Sequence, residues 1–236
     1  MKKLNDIIKI SLALIFILLF LSNCTKYDLA NRDYNIPTFE QITNNTFANV
    51  HISQSNTQSV EVIAPETVQK NLIFDVKNNK LYIDYRKKIF ILPAPVDIYI
   101  NIPVFSAYYL NGSGNMETVN RFDSCQSMLI NVNGSGNIKT DLNVNTYTYI
   151  EINGSGNLDL KGHCSSQKIN ISGSGNLNAL SFITETTDIT IEGSGNCKVY
   201  ADSLLNVLIN GSGNVKYTGN PRVTSKILGS GNIIQM

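Results

Sequence analysis

The side chains that could act together as acids, bases or polar partners lie at one repeated position. Each stands two places after the asparagine of a Gly-Ser-Gly-Asn tetrapeptide: Lys139, Asp159, Asn178, Lys198 and Lys216. If the repeats stack, these positions become neighbours, and a pair of carboxylates there could cleave a glycosidic bond by acid–base chemistry. The column holds one acid among lysines, which favours a solvated face with a local ion pair. We therefore expect a non-enzymatic protein.

The sequence also gives little support for a metal site or for reactive cysteine thiols. The chain has four cysteines and two histidines, and no Cys-x-x-Cys pair, so a zinc site is not expected. Three cysteines, Cys125, Cys164 and Cys197, follow the first one, and we favour buried, inert thiols over a disulfide. The sequence predicts neither a metal nor a cofactor.

Cys24 is the residue for which the flanking sequence predicts a modification. A basic start precedes the apolar run 10–21, which has the length of a signal-peptide core and is short for a membrane-spanning helix. The run ends in Leu-Ser-Asn before Cys24, which resembles the bacterial lipobox, although Asn23 departs from the usual small residue. The alternative is that Cys24 merely follows a secretory signal. We predict a lipoprotein signal peptide over 1–23, acylation of Cys24 and a polar tether over 24–36.

The composition limits the class of partner. The net charge is +1, and no basic face is visible, so nucleic acid is not an expected partner. Charged residues make up 16% of the chain, below the usual quarter, so amides and hydroxyls must supply most of the surface polarity.

The dominant feature is a repeat. Gly-Ser-Gly-Asn occurs seven times, at steps of 18 to 22 residues, which indicates a repeat architecture. The copies begin at Gly112, Gly134, Gly154, Gly173, Gly193, Gly211 and Gly229. Apolar residues stand two and four places before most copies and directly after each of them, so every copy should join two half-buried strands.

A corner that recurs at this period predicts one rung of a solenoid. We expect the two glycines to permit positive φ angles at the corner and the rungs to pair in parallel. Stacking would then place the motif asparagines in one hydrogen-bonded ladder. Its members are Asn115, Asn137, Asn157, Asn176, Asn196, Asn214 and Asn232. The alternative is that the serines and asparagines form an outward strip that touches a ligand; the alternation leaves the direction of these side chains open.

Two other meanings of glycine-rich loops fit poorly. Nucleotide-binding loops lead into a helix, whereas a β segment follows every copy of this tetrapeptide. Calcium-binding β-rolls use aspartate-bearing nonapeptides, whereas this corner offers neutral asparagine at about twice the period.

The segment 37–110 lacks the tetrapeptide, but its residue pattern still predicts β-strands. Five stretches alternate or are rich in β-formers: 47–52, 60–63, 71–76, 80–85 and 96–102. Asn78-Asn79 predicts a hairpin turn between two of them. Because the first rung of a solenoid needs cover, we expect 37–110 to form an irregular β cap on the seven rungs of 111–236.

The order of these features resembles a known family, the "putative auto-transporter adhesin head GIN domain" family of Bacteroidetes-type envelope proteins. The resemblance rests on the lipobox, Val50-His51-Ile52-Ser53, Val60-Glu61-Val62, Leu81-Tyr82-Ile83, the stretch 96–103 and the tetrapeptide series, and covers about 36–236. It implies an all-β, right-handed parallel β-helix domain over 37–236 in an exported protein. We expect a single domain on a lipid anchor with no autotransporter barrel, so the resemblance does not imply the autotransporter mechanism, and adhesion is only a hypothesis that the family's name suggests.

Three functions stay open. The first is an adhesive or structural surface module, and the second is a carbohydrate-binding module with tyrosines as stacking platforms. The candidate tyrosines are Tyr108, Tyr109, Tyr147, Tyr149, Tyr200 and Tyr217, of which Tyr108 falls in an inward column. The third is a polysaccharide-active β-helix enzyme. The expected partners are a membrane through the anchor, glycans or other surface proteins, and a second copy; the expected location is the cell envelope, on the outer membrane.

Overall fold

The computed structural model describes residues 27–86 and 94–236. Cys24 and the whole predicted signal peptide lie outside the described residues, so the lipid anchor stays a prediction. Within the described ranges, no helix has the length and apolar character needed to cross a membrane.

Eighteen strands and one short helix make up the described part of the chain. The N-terminal elements are β1 Leu29–Tyr34, β2 Gln41–Asn44, β3 Asn49–Gln54, β4 Ser59–Pro65, α1 Glu66–Gln69, β5 Leu72–Lys77, β6 Lys80–Tyr85, β7 Asp97–Ile102, β8 Ala107–Leu110 and β9 Met116–Thr118. The remaining strands are β10 Phe122–Val132, β11 Ile138–Ile152, β12 Asn157–Ile171, β13 Asn176–Gly193, β14 Asn196–Tyr200, β15 Leu204–Gly211, β16 Val215–Thr218, β17 Arg222–Ile227 and β18 Ile233–Gln235.

Parallel pairing in register builds a β-solenoid of about 6 turns with rungs of about 20 residues. The strands that lead into the corners form one stack. Its order is β8, then the ends of β10, β11, β12 and β13, then β15 and β17. The strands that leave the corners form a second stack. Its order is β9, then the starts of β11, β12 and β13, then β14, β16 and β18. The predicted all-β parallel solenoid is confirmed.

The N-terminal segment adds rungs in an order that differs from the chain order. The rung of β2 and β3 lies directly against β8 and β9, and the rung of β6 and β7 lies on its other side. Antiparallel strands then cover this end, with β5 against β6, β4 against β7 and β1 against β4. Because β1 lies within the predicted tether 24–36 and pairs with β4 along its whole length, this part of the range belongs to the folded domain, which corrects the prediction. The Asn78-Asn79 turn joins β5 to β6 with φ values of 50° and 63°, as expected of a hairpin turn that needs left-handed residues.

The solenoid interior is filled by the apolar columns that alternation predicts. The column two places before the motif is fully buried from Leu110 to Ile209, and only its last member, Ile227, is exposed. Tyr108 lies in the neighbouring column, where it is also fully buried. Because each rung buries its apolar side chains against the rungs beside it, stacking supplies a continuous core that a single rung cannot form.

The motif glycines are needed mainly because adjacent corners approach closely, which corrects the predicted reason. Among the motif glycines, only Gly193 and Gly211 have a positive φ, at 137° and 146°. Elsewhere the constraint is contact: a Cβ atom added at Gly136 would lie 1.8 Å from the carbonyl oxygen of Gly114 in the preceding rung. Side chains are therefore excluded between corners because backbone lies directly on backbone.

The three cysteines of the solenoid are buried and free, as the sequence predicts. Cys125 and Cys164 both pair with Val144, one from each side. Their Cα atoms are thus two rungs apart, about 9.6 Å at about 4.8 Å per strand, which exceeds the reach of a disulfide.

Burial should make these thiols unreactive. Burial, with a smaller contribution from Asp123, raises the pKa of Cys125 from 9.0 to about 11, and burial alone raises the pKa of Cys197 still further. In a Cys24→Ala form at pH 8, we expect the Cys125 thiol to react with a disulfide reagent about a hundredfold more slowly than in the unfolded chain, because so little thiolate forms. The rate at which the reagent releases its own thiol, followed in native buffer and in denaturant, measures this difference. Equal rates would contradict the prediction.

The same shift predicts how stability depends on pH. Above about pH 9 the unfolded thiol ionises while the folded Cys125 thiol stays protonated until about pH 11. The free energy of unfolding should therefore fall as pH rises from about 9 to 11, and this contribution is fully present at lower pH.

Candidate functional site

One face of the solenoid carries a continuous ladder of amides, as the sequence predicts. From Asn137 onward, Nδ2 of each motif asparagine donates to Oδ1 of the asparagine one rung earlier, at 2.9 to 3.3 Å. All of these members except Asn176 also direct the backbone N–H to the same oxygen. Every bond points the same way, so the ladder has a direction along the solenoid axis.

The ladder extends beyond the seven motifs and ends on a carboxylate. Asn115 donates to Asn49 at 3.0 Å, and Asn49 donates to Asp97 Oδ1 at 3.1 Å. A carboxylate accepts but does not donate, so it is the natural terminus of a row of donors. A second, shorter ladder on the other side of the corner has the same form, running from Asn153 through three asparagines to Asp84.

The structure also shows the direction of the corner side chains, which the sequence leaves open. All seven motif serines are exposed, and so are most of the ladder asparagines, while the second glycine of each motif is buried. The corner therefore presents hydroxyl and amide groups to the solvent and keeps only backbone inside.

The column two places after the ladder, which we call the charged column, is longer than the sequence predicts. The strand register places five residues in a single row: Lys139, Asp159, Asn178, Lys198 and Lys216. At the N-terminal end the row continues through Glu117 and His51 to Tyr99. The column thus begins with Tyr99, His51 and Glu117, and its last charged members are two lysines.

His51 is clamped between two carboxylates. Its Nδ1 lies 2.8 Å from Glu117 Oε1, and its Nε2 lies 3.1 Å from Asp97 Oδ1. Its ring stacks on Tyr99 at a centroid distance of 4.7 Å and an angle of 19°. Both ring nitrogens are thus hydrogen-bonded within the protein, and Asp97 joins this cluster to the end of the ladder.

The ladder and the charged column border one groove. A cavity of about 400 Å³ lies beside His51, Glu117 and Lys139, and a second of about 470 Å³ lies beside Asn178, Lys198 and Lys216. Both are lined by Asp159, so they form consecutive parts of one groove across the rungs. Each volume falls in the range of small-ligand sites.

The two ends of the groove differ in charge compensation. At one end His51 has acidic partners, and near the middle Asp159 accepts a hydrogen bond from Asn178 at 2.9 Å. At the other end Lys198 and Lys216 pair in register, with Asn178 before them and Ile234 after them. Neither lysine forms an ion pair with any of the described residues.

The predicted tyrosines do not form one platform. Tyr108 is buried and its hydroxyl lies 2.6 Å from Thr140 Oγ1, as expected for an inward position. Tyr109 is covered by Lys80, whose Nζ lies 3.6 Å from the ring centroid, and Tyr149 accepts a hydrogen bond from Asn170. Tyr147 is exposed on another wall of the solenoid, and Tyr200 and Tyr217 are half-buried.

Sequence reasoning missed four members of the site: Asp97, Tyr99, His51 and Glu117. Glu117 had a direct signal, because it stands two places after the motif asparagine Asn115. His51 had an indirect one, because it stands two places after Asn49, and Asn45-x-x-x-Asn49 repeats the spacing of Asn111-x-x-x-Asn115 without its glycines. No spacing signal points to Asp97 and Tyr99, because β7 stacks on β3 out of chain order. Across the described ranges, no group of three or more His, Cys, Asp or Glu side chains is arranged to hold a metal ion.

Comparisons with known proteins agree with this architecture. A family model described as "Putative auto-transporter adhesin, head GIN domain" matches residues 38–221. A putative adhesin from Bacteroides fragilis has 22% identity and a TM-score of 0.82, covering 89% of this chain and 97% of that one.

Two Parabacteroides structures have the same fold with lower TM-scores. A putative lipid binding protein from Parabacteroides distasonis has 23% identity and a TM-score of 0.69, with 90% of this chain and 98% of that one covered. A putative adhesin from Parabacteroides merdae has 19% identity and a TM-score of 0.66, with 90% and 97% covered. The comparison with curated proteins found no match.

Proposed function

We propose, from the premise that this chain belongs to the "putative auto-transporter adhesin, head GIN domain" family, that it is an adhesive module of the bacterial cell envelope. The observation that carries the proposal is the groove beside the amide ladder, which crosses the rungs from His51 to Lys216. A row of equivalent polar groups suits many weak contacts made at once, which is how an adhesive surface gains strength.

The groove supports binding better than catalysis. Both nitrogens of His51 are hydrogen-bonded to carboxylates, and Asn178 holds Asp159 in place while leaving that carboxylate room to accept further hydrogen bonds from a ligand. A hydrolase of polysaccharides needs two carboxyl groups across the scissile bond, whereas the two acids of the charged column, Glu117 and Asp159, stand two rungs apart with Lys139 between them.

A carbohydrate-binding module is the second candidate, and one observation favours it. Tyr99 is exposed at the end of the charged column, with one face of its ring backed by His51. A ring held in this way can stack on the apolar face of a sugar without first losing side-chain freedom.

The anchoring part of the proposal is that Cys24 is acylated and holds the module on the outer membrane. Membership of an adhesin family supports an envelope location, and the lipobox-like residues before Cys24 support the anchor. Several acyl chains are needed for stable attachment, because one chain binds a membrane only reversibly.

Adhesion of intact cells tests the proposal. Cells that express the full chain should adhere to a glycan-coated surface, and a Cys24→Ala form should reduce adhesion to the level of cells that lack the protein. Protease treatment of intact cells should remove the wild-type protein and its adhesion together.

A Thr25→Ala form, which leaves the cysteine in place, is the matched control and should adhere as the wild type does. Protection of the chain from protease in intact cells would refute the surface role, and full adhesion by the Cys24→Ala form would refute the lipid anchor.

A further inference from the structure

We infer that the part of the groove between Asn157 and Lys216 binds an acidic polysaccharide, with sugar hydroxyls on the amide ladder and anionic groups on Lys198 and Lys216. We call this segment the lysine groove. The inference rests on the proposed adhesive function and names the class of ligand that the groove would hold.

The amide ladder offers unused donors along the lysine groove. An asparagine Nδ2 carries two N–H groups, and in Asn176, Asn196 and Asn214 one of them is used within the ladder. The second N–H of each has no acceptor among the described side chains. The Oδ1 atoms of Asn176 and Asn196 are saturated, since each accepts a side-chain and a backbone N–H. The ladder therefore presents donors to a ligand, which favours hydroxyl or carboxylate oxygens and disfavours a cation.

The two lysines supply a positive charge that the protein itself does not balance. Lys198 and Lys216 stand on adjacent parallel strands, about 4.8 Å apart along the stack, and both side chains are exposed. Like charges in register on neighbouring strands repel each other. An anionic group between them would relieve this repulsion and form charge-assisted hydrogen bonds with both.

The end of the lysine groove farthest from Lys216 adds an acceptor, which separates a glycan from other polyanions. Asp159 borders the groove between the lysines and the Glu117 end, and its carboxylate repels a continuous row of phosphates. A sugar hydroxyl can donate to the same carboxylate. A ligand with both hydroxyls and spaced anionic groups matches this order of donors, acceptor and cations, whereas nucleic acid does not.

The geometry of the groove suits an extended chain of sugars. Its donors recur once per rung, about 4.8 Å apart, which is close to the length of one pyranose unit in an extended polysaccharide. Successive sugars could therefore meet equivalent asparagines, so affinity should grow with ligand length.

Binding of polygalacturonate by the full-length protein, purified in detergent, tests the inference. Its fully methyl-esterified form has the same backbone without the charges and serves as the matched ligand. We expect the acidic polymer to bind at least tenfold more tightly than the ester at low salt, and a Lys198→Gln, Lys216→Gln form to lose that difference. Isothermal titration calorimetry measures both.

A Lys226→Gln form is the matched protein control, because Lys226 is equally exposed but lies before the corner, outside the lysine groove. It should bind as the wild type does. Unchanged thermal midpoints of all forms would show that the substitutions leave the fold intact.

Three results would overturn the inference: equal affinity for the acid and its ester, unchanged binding by the double-lysine form, or equally tight binding of single-stranded DNA. Adhesion of intact cells is measured separately. Surface-exposed, adhesive cells whose protein does not prefer the acidic polymer would refute the ligand class and leave the adhesive function standing, while protected, non-adhesive cells would refute the function itself.

Discussion

Gly136→Ala should destabilise the solenoid by about 4 kcal/mol or more, at the upper end of single substitutions. The added Cβ would lie 1.8 Å from the carbonyl oxygen of Gly114 and 2.9 Å from its carbonyl carbon. Both contacts are with backbone, which cannot rotate away as a side chain can. Relief requires the two rungs to separate, and that breaks strand pairing and core packing on both sides of the corner. Chemical denaturation followed by circular dichroism measures the loss.

Ser135→Ala is the control for the Gly136 substitution, because it changes the neighbouring residue of the same corner. The Ser135 side chain is exposed, so its truncation should change the free energy of unfolding by less than about 0.5 kcal/mol. If Gly136→Ala were as stable as Ser135→Ala, the corners would not be in contact, and close backbone approach would not be what requires glycine at this position.

Tyr108→Ala should cost about 3–5 kcal/mol, the range for removal of a buried aromatic ring. Tyr108 packs edge-on against Phe105 at a centroid distance of 4.3 Å, and Phe105 in turn contacts Phe122. The strand of Tyr108 pairs with β2 on one side and with β10 on the other. The ring therefore fills the junction between the irregular N-terminal rungs and the regular ones. Denaturant titration measures the change.

Tyr108→Phe separates the ring from the hydroxyl. It keeps the packing and removes only the hydrogen bond to Thr140, so a loss of about 1 kcal/mol is expected. Tyr147→Ala, at an exposed tyrosine, should be nearly neutral. A small effect of Tyr108→Ala would show that this junction contributes little to the fold, and that the N-terminal rungs are held by strand pairing alone.

Local pattern predicts most of this fold. Period-2 alternation on either side of the tetrapeptide indicates which side chains point inward, because successive residues of a strand face opposite sides. Residues one period apart then become neighbours. This predicts the amide ladder and the part of the charged column from Lys139 to Lys216. The structure confirms both.

The contacts of His51 at the N-terminal end of the site could not be found in this way. Repeat spacing implies a contact only when consecutive rungs are also consecutive in the chain. In this protein β7 stacks on β3, and β3 stacks on β9, across separations of 48 and 66 residues. His51 gains its two carboxylates from those strands, so its environment depends on a crossover that local pattern does not encode.

The sequence alone determined that the chain coils into stacked rungs, because a small-residue corner between alternating strands leaves few other ways to bury the apolar columns. Tertiary structure decided the rest. It showed that glycine is required because adjacent corners are in close contact, and that the serines and most ladder amides face the solvent. It also showed that the two amide ladders end on Asp97 and Asp84. These features arise between rungs, and a single rung contains no information about its neighbour's backbone.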